Sequence, residues 1–138
     1  MGSVCKEFSV AAPADRVWAA LADFGALATR LVPGFVTACR LEDEHTRIVT
    51  FSNGMEAREI LVDRDAARRR LVYAVVGGQL TQHSASAQVF AEGDGACRFV
   101  WTADFLPNAL GGYLAAQMEL GVVAMKAALE KEAAAAGS

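Results

Sequence analysis

Between residues 35 and 105 the sequence alternates apolar and polar residues in six separate runs, each closed by a short polar or glycine-containing turn. "FVTACRLE" (35–42), "TRIVTFS" (46–52) and "MEAREILVD" (55–63) are parted by "DEH" and "NG". "RLVYAVV" (70–76), "SASAQVFA" (84–91) and "CRFVWTADF" (97–105) follow, parted by "GGQLTQH" and "EGDGA". A period of two over so few residues reads as a half-buried strand, and Asn53-Gly54 between two such runs is the strongest short hairpin signal in the chain. Strands joined by hairpins form an antiparallel sheet whose apolar face must be covered.

The flanking segments supply the cover. "VCKEFSV" (4–10) reads as a first strand, bounded by Pro13. In "APADRVWAALADF", Pro13 and Asp15 mark a helix start, with Val17, Trp18, Leu21 and Phe24 on one face. Gly25 ends that helix, and "GALATRL" reads as a second short helix closed by Pro33-Gly34. From about Asn108, a candidate N-cap, to Ala135, the residues Leu110, Leu114, Met118, Val122, Met125 and Leu129 recur at spacings of three and four. That is an amphipathic helix of roughly seven turns. The tail "KEAAAAGS" is expected to fray. The expected fold is therefore α+β: a strand, two short helices, six strands, and one long C-terminal helix laid over a seven-stranded antiparallel sheet. At 138 residues, 54% hydrophobic and 21% charged, the chain reads as a single domain over 1–138 with one core.

Charge and cysteine usage narrow the function. A net charge of −3 argues against a nucleic-acid partner, which would need basic residues gathered on one face. The basic run Arg68-Arg69-Arg70 reads as the polar start of a strand. "MGSVCKEFSV" has no apolar core of signal-peptide length, and no stretch of about 18 apolar residues runs without a charge. The expected location is cytoplasmic, with no integral membrane association. Cys5, Cys39 and Cys97 are too few and scattered for a disulfide framework or zinc cluster, and are expected as buried free thiols. His45 and His83 lack ligand spacing to a second His or Cys and read as solvated or structural. No metal or other cofactor is expected. There is no G-x-S-x-G elbow and no phosphate-cradling loop, and Glu92-Gly93-Asp94-Gly95 lacks the carboxylates of a calcium site.

Strand parity nominates the residues that matter. In "SASAQVFA" the odd positions Ala85, Ala87 and Val89 are small and apolar; in "CRFVWTADF" they are Cys97, Phe99, Trp101, Ala103 and Phe105. Both strands turn odd positions inward. Small alanines there either let the helix come close or leave a hollow, with Trp101 and Tyr73 as broad walls or plain core. Glu59 shares parity with Met55, Ala57 and Leu61, so its carboxylate points to apolar surroundings unless Ile60 and Val62 are the inward residues instead. Buried, it would need a donor or water. Trp18 and Leu31 stand open between core and pocket mouth. On the long helix, Tyr113, Gln117 and Gly121 follow one another at four-residue spacing beside the apolar stripe, and Gln117 is either a hydrogen-bonding group or a solvated one.

The order of elements, with "VWAALADFG", "EILVDRDAARRRLVYAVVGG" and "FVWTADFLP", resembles the START-like superfamily of polyketide cyclases and lipid-transfer proteins (SRPBCC), over residues 4 to 132. The resemblance implies a helix-grip fold, in which a curved sheet wraps the long helix and the two enclose a deep pocket for an apolar or amphipathic molecule. It also implies that Glu59 faces the ligand through ordered water and that Tyr113, Gln117 and Gly121 look into the pocket. "SNGMEA" and "VVGGQLTQ" are similar to the loops that close over the ligand in plant abscisic acid receptors. Leu80-Thr81-Gln82 stands where those receptors carry His-Arg-Leu, so their partner-docking role is not implied. Thr37 stands where they place a lysine, and no basic anchor for an acidic ligand is evident.

Three functions fit these residues. One is a carrier or sensor that binds a lipid, polyketide, quinone or aromatic through Glu59, Leu61, Tyr73, Ala85, Ala87, Trp101, Tyr113 and Gln117. A second is a cyclase-, dehydratase- or hydrolase-like enzyme in which Glu59 moves protons and Tyr73 orients a carbonyl or hydroxyl. A third is an interaction module whose loops at 52–56 and 77–82 dock another protein.

Overall fold

The computed structural model describes residues 2–77 and 80–136. Seven antiparallel strands form one sheet in the order β1-β7-β6-β5-β4-β3-β2: β1 (Ser3–Val10), β2 (Val36–Asp43), β3 (Thr46–Phe51), β4 (Glu56–Asp65), β5 (Arg70–Val76), β6 (Gln82–Ala91) and β7 (Cys97–Leu106). Consecutive strands from β2 to β7 are neighbours, as hairpin connections require. β1 lies at the far edge, paired to β7 from Ser3↔Asp104 to Val10↔Cys97. Helix α1 (Ala14–Ala22) and a π-helical turn (Leu27–Leu31) carry the chain from one sheet edge to the other. Helix α2 (Gly111–Ala136) follows a 3-10 turn at Asn108–Leu110 and packs along β1 and the π-helical turn. This is the helix-grip arrangement, and the described residues hold no helix long and apolar enough to cross a membrane.

The inward face follows strand parity. Ala85, Ala87 and Val89 on β6, and Cys97, Phe99, Ala103 and Phe105 on β7, are buried with Leu71 and Tyr73 of β5. From α2 come Met118, Gly121, Met125 and Leu129, so glycine takes the place that the spacing gave to Val122. α1 contributes Val17, Ala20 and Leu21 to the same core. Bulges between Val36 and Ala38, Leu41 and Asp43, and Leu61 and Asp63 sharpen the bend of the sheet.

Several local expectations are corrected. The second short helix is one π-helical turn, which ends at Val32 just before Pro33. Asn108 is not the residue before α2 but the first of the 3-10 turn that leads into it. The alanine-rich tail stays helical through Ala136, and Gly137-Ser138 lie outside the described residues. Cys97 is buried, but Cys39 is only half-buried and Cys5 is exposed, because on β1 the even residues Val4, Phe8 and Val10 face the core.

Candidate functional site

Between the sheet and α2 lies a mostly apolar cavity of about 440 Å³. Small residues make the room for it. Pairing places Tyr73, Ala85 and Ala103 in one row across β5, β6 and β7, and Leu71, Ala87 and Trp101 in the next. A large wall thus stands beside a methyl-sized floor in each row. Gly121, expected to look into the pocket, does not line it but packs on the back of a lining residue: a Cβ there would sit 3.0 Å from Cζ3 of Trp101, so glycine lets the indole lie against the helix.

The polar groups gather at one wall. Arg47 and Glu59 face each other across β3 and β4, and are 3% and 5% exposed. Arg47 Nε donates to Glu59 Oε1 at 2.9 Å, Nη2 contacts the same oxygen at 2.7 Å, and Nη1 donates to the Phe24 carbonyl at 3.2 Å. The guanidinium carbon lies 4.0 Å from the Phe24 ring centroid and 5.3 Å from that of Tyr73. Two rings and three acceptor contacts thus hold this cation in place. Trp101 Nε1 donates to the Tyr73 hydroxyl at 3.1 Å. Burial first, and the Glu59 charge second, push the Tyr73 pKa well above its ordinary value, so the phenol keeps its proton. His83, half-buried on the same cavity, has its pKa lowered by burial, with the Glu59 charge opposing.

Of the candidates, Glu59, Tyr73, Ala85, Ala87, Trp101, Tyr113 and Gln117 all line the cavity. Leu61 does not. From Met55 in the turn the lining continues on β4 through Glu56 and Ala57 to Glu59 and stops at the ion pair; Leu61, one step beyond and next to the bulge, is half-buried against the core. Parity at Glu59 is decided for the inward reading, since Val62 is exposed. Leu31 lines the cavity, whereas Trp18 only packs against the core.

Two residues escaped the sequence reading. Arg47 shares parity with buried Val49 and stands directly opposite Glu59, but it is paired with that carboxylate and is not a free basic anchor. Thr37 is exposed and bonds the Thr50 carbonyl instead. His83, read as solvated or structural, is part of the cavity wall, as its inward odd parity on β6 indicates.

At the mouth, Tyr113 of α2 is 47% exposed. Asn53 Nδ2 donates to its hydroxyl at 3.5 Å, and the hydroxyl contacts Met55 Sδ at 3.4 Å. The helix and the β3–β4 turn therefore meet across the opening. The 77–82 loop adds Gly77 and Leu80 to the lining; its residues 78 and 79 lie outside those described. Among the described residues no group of acidic, histidine or cysteine side chains is arranged to hold a metal ion.

The sequence matches, over residues 1–137, the family described as polyketide cyclase / dehydrase and lipid transport. A comparison with curated proteins finds no match. Similar solved structures include a Thermobifida fusca protein, 31% identical with a TM-score of 0.76, the match covering 94% of this chain and 91% of that one. Norcoclaurine synthase from Thalictrum flavum, in complex with dopamine and hydroxybenzaldehyde, is 19% identical with a TM-score of 0.72, covering 94% of this chain and 84% of that one. The di-domain ARO/CYC BexL from the BE-7585A biosynthetic pathway is 13% identical with a TM-score of 0.82, covering 94% of this chain and 47% of that one. The last two likenesses are likenesses of fold.

Proposed function

The chain belongs to the polyketide cyclase / dehydrase and lipid transport family, and from that premise we propose that it binds a small hydrophobic or amphipathic molecule between the sheet and α2, as a carrier or sensor. The observation that carries this reading is the cavity itself, about 440 Å³ of mostly apolar space with its polar groups on one wall. Left dry, a void of that volume would cost on the order of 10 kcal/mol at about 24 cal/mol per Å³. That is comparable with the whole stability of a domain, so the space is occupied by water or a guest. Water gains little from apolar walls, and a guest with an apolar body and one polar end matches them better. Lipids, polyketides, quinones and aromatics all have that form. Native mass spectrometry of the protein as purified from its own cells tests this. The expected result is a mass excess that is released on denaturation as a hydrophobic compound; an exact apo mass, with no thermal shift from any member of an apolar library, would contradict it.

A cyclase- or dehydratase-like reaction is the second reading, favoured by one observation: Glu59 and Tyr73, a carboxylate and a protonated phenol, occupy the same wall. Two neighbours of the same fold are named as a synthase and an ARO/CYC protein. In this reading Glu59 carries protons and Tyr73 orients a carbonyl. Glu59→Gln then abolishes turnover of a bound substrate, and an unchanged rate removes Glu59 from the chemistry.

A further inference from the structure

The ion pair constrains the polar end of the guest. Both contacts from Arg47 to Glu59 fall on Oε1. Among the described residues Oε2 accepts no hydrogen bond, yet Glu59 is part of the cavity wall and no buried side-chain oxygen is left without a partner, so Oε2 meets the cavity. The Tyr73 hydroxyl accepts from Trp101, and its own proton has no acceptor among the described residues. The wall therefore presents one negative acceptor and one neutral donor. The cation is already matched: Arg47 is neutralised by Glu59, bonded to the Phe24 carbonyl and flanked by the rings of Phe24 and Tyr73. His83 adds no charge at neutral pH, because burial disfavours its protonated form.

Resting on the ligand-binding reading above, we propose that the cavity selects guests whose polar end is an uncharged hydroxyl, a phenol or alcohol, and rejects carboxylic acids of the same skeleton. A hydroxyl donates its proton to Glu59 Oε2 and accepts from Tyr73, so each orphan group gains a partner. A carboxylate brought to the same place would meet the Glu59 carboxylate in a low-dielectric site with no unmatched cation to offset it. An unsubstituted ring would leave both protein groups to water.

The test uses three probes of one shape, naphthalene, 2-naphthol and 2-naphthoate, titrated calorimetrically at pH 7 into the intact protein. The expected order is 2-naphthol tightest, by at least about tenfold over 2-naphthoate. Glu59→Gln removes the negative acceptor and frees Arg47, so it is expected to reverse the preference in favour of 2-naphthoate. Tyr73→Phe leaves the ion pair in place and is the second variant should Glu59→Gln fail to fold. It is expected to weaken 2-naphthol several-fold while leaving naphthalene within about twofold. If naphthalene binds and 2-naphthoate equals or exceeds 2-naphthol on the unmodified protein, the selection is overturned while the cavity remains a binding site. If none of the three binds, the ligand-binding reading fails, and this inference with it.

Discussion

Arg47 is buried only because Glu59 is, and each without the other would be a stranded charge. Arg47→Met is therefore expected to cost about 3–5 kcal/mol in urea denaturation, the usual loss when one member of a buried pair is removed. Arg47→Met combined with Glu59→Leu should regain most of that loss; a double variant as unstable as the single one would show that the two residues are not coupled. His83 supplies a pH test. Burial lowers its pKa in the folded protein, so below about pH 6.5 the unfolded chain takes up the proton first. Its contribution to stability is complete above that pH and is lost as pH falls through the folded value. A His83→Gln variant should thus show a shallower loss of stability between pH 7 and 5, and an identical slope would place His83 in solvent. At this scale the sequence was half legible. Parity left Glu59 undecided, and the partner was hidden by one residue of loop length. Phe51 pairs with Met55, Gly54 has a positive φ of 87°, and Ser52-Asn53-Gly54 forms a three-residue loop. A two-residue loop at Asn53-Gly54 would have set Ile48 opposite Glu59; the added residue sets Arg47 there.

The strands were legible because alternation and turn chemistry agree in every run, and the observed ends differ from the expected ones by a residue or two. The helical segments were less so. Gly25 and Pro33 bracket too short a stretch for a regular helix, and a single π-helical turn fills it. The C-terminal stripe was read correctly in period except at Val122, and Gly121, noted beside it for its small size, is the buried member in that place. Gly121 is where α2 meets Trp101 of β7. Gly121→Ala places a methyl 3.0 Å from the Trp101 ring, so the ring or the helix must give by a few tenths of an ångström. The expected outcome is a loss of about 1–3 kcal/mol from overpacking despite alanine's better helix propensity, with altered Trp101 fluorescence as the bond to Tyr73 is strained. A variant more stable than the parent, with an unchanged spectrum, would show that Trp101 is loosely held.

Across the whole molecule, the sheet, α2 and the α1 connection form one shell around a space that none of them fills. The architecture was legible from element order; the hollow was legible only as a consequence of resemblance, because a cavity is what remains after side chains from many distant positions have been placed. Alanines at 85 and 87 were compatible equally with close helix approach and with open volume, and the cavity of about 440 Å³ decides for the volume. Filling it is the most direct trial of what it does. Ala85 lies between Tyr73 and Ala103 on the cavity floor, so Ala85→Phe puts a ring into the space. Calorimetric titration of 2-naphthol into the parent protein and into Ala85→Phe, with both first shown to unfold cooperatively, compares an open cavity with a blocked one. The account predicts saturable binding to the parent and a loss of at least about tenfold in the variant; equal affinity in the two proteins would place binding elsewhere and contradict it.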